Sequence, residues 1–173
     1  MTDSSSITIT VLDPFSAEAA SLLAASDALM RSLYAGIDEH LEGPASLAAS
    51  PGIFLGAWRG AECLACGAVK VLQQADGPRY GEIKRVFVLP QARRMGLAQR
   101  LMQRLEQHLR DEGIEWARLE TGIHQPEALA LYAGLGYQRC ASFGSYQANA
   151  TGVLMQKLLR PEPGATAPRP PAG

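Results

Sequence analysis

The sequence predicts a mixed α/β domain, with a central sheet and helices on its faces. Three observations carry that prediction. The chain has 173 residues, a length that favours one domain. Its apolar period switches between 2 and 3.6 along the chain, so strand-like and helix-like stretches succeed one another. Its composition, 47% hydrophobic and 19% charged, is that of a globular chain able to bury a core without disulfides or metals.

The elements follow in order. Residues 1–6 are polar and serine-rich and are expected to be disordered. Ile7 to Leu12 alternates with β-branched residues and predicts a first strand. Asp13-Pro14 ends it, and "SAEAASLLAASDALMRSLY" predicts one helix, or two broken near Ser26-Asp27. A polar connection follows, with a short helix around Pro44 to Ala49. Ile53 to Trp58, "ECLACGAVKVLQQ" and Arg79 to Leu89 predict three strands. Arg59-Gly60 and Asp76-Gly77-Pro78 are the turns of this antiparallel meander. After Pro90 the period becomes helical: Leu97, Leu101, Leu105 and Leu109 form a stripe widened by Ala98 and Met102, and Gly113 closes it. "EWARLETG" is the next strand, and "QPEALALYAGLG" a short helix with proline in its first turn. "YQRCASF" and "GVLMQKLL" complete the strands. The domain thus spans residues 7–160. Residues 161–173 hold five of the 11 prolines and no large apolar side chain, and are expected to be a disordered tail.

Net charge is −1, which gives no broad electrostatic reason to expect nucleic acid or an anionic membrane as partner. No apolar run approaches the roughly 20 residues of a membrane span, and no targeting signal is visible, so a cytoplasmic location is expected. Three cysteines fit a reducing compartment. Cys63 and Cys66 have CxxC spacing, as half a metal site or a redox pair would. No second CxxC or CxxH follows, so core thiols are the better reading. His40, His108 and His124 make no metal-ligand spacing, and His108 falls on the polar, solvated face of the long helix.

The most informative stretch is "VFVLPQARRMGLAQRLMQRLEQHL", where a strand becomes a helix. The first N–H groups of a helix lack intrahelical partners and carry partial positive charge, an arrangement suited to phosphate. Gly96 permits close approach, while Arg93 and Arg94 add charge at the mouth. The GxxxxGK[ST] and GxGxxG nucleotide motifs are absent. Glu82, at the head of the preceding strand, reads by itself as an exposed edge carboxylate paired with Lys84 or an arginine.

"RRMGLA" matches the [QR]xxGx[GA] signature of the GNAT N-acetyltransferase superfamily, with Arg93, Gly96 and Ala98 at the defined positions. "EIKRVFVLP" before it and "ALALYAGLGY" after it resemble the family's flanking strand and its ALxLYxxxGF element. "EIKRVFV" and "LETGIHQPEALALYAGLGYQRCASFGSY" are similar to one bacterial subgroup. The resemblance implies a GNAT-like fold, a mixed sheet of about six or seven strands flanked by about four helices. It implies acetyl-CoA as co-substrate and no metal. The pyrophosphate would lie on the amides of Arg94, Met95, Gly96, Leu97 and Ala98, and the pantetheine along Val86, Phe87 and Val88. Gln125 stands where the family often has a cofactor-contacting asparagine. Glu82 would be the general base, and Tyr132 the acid that meets the departing thiolate. Tyr34, Glu39 and His40 fall in the region that shapes the acceptor site in this family. His124 could line the pocket, and Tyr146 could gate it.

The expected activity is acetyl transfer to a primary amine of a small molecule, by direct attack in a ternary complex. Alternatives are a protein-lysine or other acyl acceptor, or a non-catalytic acyl-CoA sensor. The expected assembly is a monomer or homodimer.

Overall fold

The computed structural model describes residues 6–36, 42–47 and 49–160. Of the segments expected to be disordered, 1–6 and 161–173, all but Ser6 lie outside the described residues, as do the acceptor-region residues Glu39 and His40. Four α-helices and seven strands appear in the predicted order: β1 (Ile7–Val11), α1 (Ala17–Leu33), α2 (Pro44–Leu47), β2 (Ile53–Arg59), β3 (Glu62–Gln73), β4 (Arg79–Val88), α3 (Leu97–Asp111), β5 (Trp116–Gly122), α4 (Pro126–Gly134), β6 (Gln138–Arg139) and β7 (Gly152–Leu158). A single 3-10 turn, Pro90–Ala92, joins β4 to the loop before α3.

The strands form one sheet in the order β1-β2-β3-β4-β5-β7-β6. β1 to β4 are an antiparallel meander, as the short turns require. β4 and β5 are parallel, because α3 carries the chain back across the sheet between them. β4 is therefore central, so Glu82 is not the edge residue that its pairing with Lys84 suggested.

Two apolar layers flank the sheet. α3 lays Leu97, Leu101, Met102, Leu105 and Leu109 on one face, against Leu64, Val69, Ile83 and Leu119. All five are 2% exposed or less, and each such side chain contributes about 1.5–3 kcal/mol relative to exposure. Gly81 lies directly under α3: a Cβ there would stand 2.4 Å from Leu109. The opposite face is covered by α1, whose Ala19, Leu22 and Leu23 pack on Phe54, Cys66, Ala68 and Phe87. α1 is one continuous helix, capped by Ser16, whose hydroxyl accepts from the Ala19 N–H at 3.2 Å. Ser26 is buried on its sheet side and does not break it.

Cys63 and Cys66 belong to the α1-side core as free thiols, and burial pushes them up to about 11 and about 12. Two expectations are corrected. His108 is not simply solvated: its Nε2–H donates to the Pro51 carbonyl at 2.7 Å, tying α3 to the loop before β2. The strand expected over residues 137–143 shrinks to Gln138–Arg139, because the following residues leave the sheet as a loop that crosses the cleft. Among the described residues, no helix is long and apolar enough to cross a membrane.

Candidate active site

β4 and β5 hydrogen-bond only over Gly81–Ala117, Glu82–Arg118 and Ile83–Leu119. Both strands continue, β4 to Val88 and β5 to Gly122. They part because their other partners hold them. β5 stays paired with β7 as far as Gly122–Gly152, while β4 stays with β3 as far as Val88–Ala65. The gap between them opens into a cavity of about 990 Å³.

A bulge sits at the point of divergence. Lys84 pairs with Ala68 and Phe87 with Cys66, so Arg85 and Val86 together face Gly67. Arg85 takes φ +56°, a left-handed value uncommon outside glycine. Its guanidinium is held from α1: Nη1 donates to Asp27 Oδ1 at 2.6 Å, and Nη2 to the Leu23 carbonyl at 3.1 Å. The bulge resets the strand's alternation. Glu82, Lys84, Arg85 and Phe87 all point to the α1 face, while Ile83, Val86 and Val88 point to the α3 face.

Glu82 is 4% exposed and lines the cavity. Three elements meet at its carboxylate. Lys84 Nζ lies 3.1 Å from Oε1. The Tyr146 hydroxyl, from the β6–β7 loop, donates to the same oxygen and accepts from Lys84 Nζ. The Phe143 ring packs on the Tyr146 ring at 5.2 Å between centroids, and Lys84 Nζ lies 5.1 Å from the Tyr146 ring centroid. Burial, reinforced by the carboxylates of Glu82, Glu120 and Glu42, raises Tyr146 far above the ordinary phenol range. Its proton is therefore held at every working pH.

Tyr132 enters the cavity from α4, on the other side of the sheet. It is 7% exposed, makes an edge contact with Tyr137, and is pushed up to about 12 by burial. Tyr34, at the end of α1, is buried against the β5–α4 connection. The His124 N–H donates to its hydroxyl at 3.2 Å, and that hydroxyl donates to Gln125 Oε1 at 3.4 Å.

The cavity wall thus brings together Glu82, Val86, Tyr34, Gln125, Tyr132 and Tyr146 from the residues singled out in the sequence. His124 lies beside the wall, exposed, with its ring 5.3 Å from that of Tyr34. Phe87 turns into the α1-side core and Val88 packs on the α3-side core. Arg93, Arg94, Met95, Gly96, Leu97 and Ala98 form the turn into α3, at the far end of β4 from Glu82. There Arg94 has φ +66° and Gly96 φ +72°. Gly96 is the N-cap, so no side chain satisfies the first amides of α3. A Cβ on Gly96 would meet nothing within 4 Å, so the turn is open on that side.

Five charged residues of the wall were given no site role from the sequence: Glu42, Lys70, Lys84, Arg85 and Glu120. Lys70 and Glu120 lie in strands whose polar positions read as ordinary solvated faces, and Glu42 lies in a polar connection. The one usable signal was the spacing of Glu82 and Lys84, two residues apart and so on one face.

A sequence profile of the Acetyltransferase (GNAT) family matches residues 23–137. The chain is similar to an "IAA acetyltransferase" of Azospirillum brasilense, 32% identical over 88% of this chain and 98% of that one. Among solved structures it resembles a candidate acyl-CoA N-acyltransferase of Klebsiella pneumoniae, with a TM-score of 0.71 and 35% identity over 89% of this chain and 98% of the other. It also shares its fold with YncA, a candidate acetyltransferase of Salmonella typhimurium solved with its cofactor acetyl-CoA, at a TM-score of 0.68 and 17% identity over 94% of this chain and 99% of that one. The profile spans more than half of the chain and the relatives span nearly all of their own length: the chain belongs to the GNAT acetyltransferases and is an acyl-CoA-dependent acyltransferase.

Proposed function

We propose that the protein transfers the acetyl group of acetyl-CoA to a primary amine of a small molecule, by direct attack within a ternary complex. The observation that carries this reading is the meeting of Glu82 and Tyr132, from opposite faces of the sheet, in one cavity where β4 and β5 part.

The donor side is supported by main-chain geometry. From Lys84 to Val88 the β4 backbone is not paired with β5, so it can take a pantetheine arm as an added strand. The open first turn of α3 suits a pyrophosphate, with Arg93 and Arg94 beside it. Gln125 lines the same cavity. A main-chain N–H within Val86–Val88 would donate to the thioester oxygen as charge develops there.

The acceptor amine forms the new C–N bond and must lose a proton, while the C–S bond breaks and the sulfur must gain one. Tyr146 takes the amine proton as it passes its own to Glu82, and Lys84 steadies the phenol oxygen between them. Tyr132, protonated throughout the neutral range, donates to the departing sulfur. Because the two proton sites lie on opposite faces of the sheet, base and acid do not neutralise one another.

A second reading, an acceptor other than a small amine, is favoured by the Azospirillum relative, which is named for IAA. An amine panel that includes lysine peptides, assayed for release of free CoA from acetyl-CoA, separates the two. Turnover of a small amine is expected. CoA binding with no turnover of any amine would overturn the proposal and leave a different class of acceptor or an acyl-CoA sensor.

A further inference from the structure

The acceptor side of the cavity holds a pair of ammonium groups already bound to a carboxylate. Lys70 Nζ, on β3, donates to both oxygens of Glu42, at 3.1 and 3.2 Å. Lys84 Nζ, on β4, lies 3.7 Å from Glu42 Oε1 and 3.1 Å from Glu82 Oε1. All four side chains line the same cavity, and each is less than a quarter exposed. The two lysines are neighbours because β3 and β4 pair with Lys70 opposite Glu82 and Ala68 opposite Lys84.

Glu42 does not belong to the sheet. It lies in the connection just before α2 and reaches the lysines from outside. Hydrogen bonds from Ser46 and Lys70, and the charges of both lysines, outweigh the burial that opposes them and hold its carboxyl below the ordinary carboxylate range. The strands thus contribute two partly buried ammoniums, with the carboxylates of Glu82 and Glu120 on the same wall, and a loop contributes Glu42, the carboxylate that binds Lys70. Without Glu42, Lys70 would lose that partner, a state that favours an anion in its place.

We infer that Lys70 and Lys84 form a carboxylate subsite, that Glu42 stands in for the substrate there, and that the acceptor is an amino acid or a similar amine bearing a carboxylate. This rests on the acetyltransferase reading above and narrows its substrate class. The same ammonium of Lys84 touches Glu82, Tyr146 and the carboxylate site. A molecule whose carboxylate replaces that of Glu42 therefore has its amine within reach of the Tyr146–Glu82 pair. The occupant seen is a carboxylate held by both oxygens, which is why a carboxylate is preferred to other anions.

The test uses the full chain and the twenty L-amino acids, each beside its own carboxamide. Binding is titrated with CoA present, and turnover is followed by CoA release from acetyl-CoA. At least one free acid is expected to bind and react ten-fold or more better than its amide. Lys70→Met should erase that preference, and Glu42→Gln should tighten binding of the same acid several-fold by removing its competitor. Acids and amides that bind equally, or a Glu42→Gln variant that weakens the acid, overturn the subsite. Equal turnover of acid and amide discards the subsite and keeps the transferase. Acid-selective binding without any turnover keeps the subsite and discards the transferase.

Discussion

The Tyr146 hydroxyl donates to Glu82 Oε1, and Lys84 donates to the Tyr146 oxygen. Sixty-four positions separate the two partners in sequence. A phenol that also lines the cavity bridges the carboxylate and an ammonium. If this chain of groups carries the amine proton, its members act as a unit. Glu82→Gln should lower kcat by ~10²–10⁴ while leaving the Kd for CoA within about two-fold. Tyr146→Phe should cost a similar factor, and the double variant little more than either alone. Fully additive losses in steady-state kinetics would separate the two roles.

Tyr132 is expected to protonate the leaving sulfur. Tyr132→Phe should reduce kcat by ~10²-fold or more, with KM for the amine nearly constant. Since burial holds this phenol near 12, its loss of a proton should not limit activity below about pH 11. The sign for stability follows. The folded value lies above the ordinary 10.0, so the folded state keeps the proton longer. Stability is unaffected below about pH 10 and falls as pH rises through about 12. An alkaline limb of the kcat profile near pH 8 that disappears in Tyr132→Phe would contradict this placement.

Gly96 separates two effects. Its φ of +72° makes any other residue strained, by about 1–2 kcal/mol. Gly96→Ala should therefore lower thermal stability, and since its methyl adds no charge it should raise the Kd for CoA far less than a carboxylate does. Gly96→Glu adds a carboxylate where a pyrophosphate is expected, and should raise the Kd for CoA more than ten-fold. Equal Kd values for the two variants by calorimetric titration would remove the turn from the donor site.

Gly122 is required for space. A Cβ on it would stand 1.6 Å from the Tyr34 hydroxyl oxygen. Gly122→Ala should push Tyr34 off the His124 N–H and Gln125, at a cost of about 1–3 kcal/mol. Adding Tyr34→Phe removes the clashing oxygen and should recover part of that loss. Thermal melts of the single and double variants check it, and a purely additive double variant would mean that the clash is relieved elsewhere.

Thiol labelling gives an independent check of the core. Cys63 and Cys66 are buried and lifted to about 11 and about 12, whereas Cys140 is only partly covered. At pH 8 a thiol reagent should modify Cys140 first and reach the other two only when the chain unfolds. Rapid modification of all three in the native protein would show that α1 leaves the sheet readily.

What could be read from the sequence depended on how local its cause was. The switch from strand to helix after Pro90, the leucine stripe of α3 and the turn at Gly96 are written in neighbouring residues, and each stands where expected. Glu82 and Tyr132 were singled out by their positions within recognisable segments, and both line the cavity. The bulge at Arg85 was not legible, since its φ is held by Asp27, 58 positions earlier, and by a carbonyl of α1. The Glu42–Lys70–Lys84 contacts are equally non-local: each residue alone reads as a polar surface position. The expected strand over residues 137–143 failed for the same reason. β-forming residues were present, but β7 meets β6 only at Met155 and Gln156, which leaves most of the segment without a partner.

The bulge in β4 divides labour along a single strand. Before it and at it, side chains of Glu82, Lys84 and Arg85 turn to one face. Beyond it, the backbone that β5 has left runs toward the turn at Gly96. Loops carrying Glu42 and Tyr146 complete the first region. On the proposed reading, changes in those loops retune which acceptor is chosen while the strip of main chain offered to the donor stays as it is, so that new substrates are acquired by editing two loops.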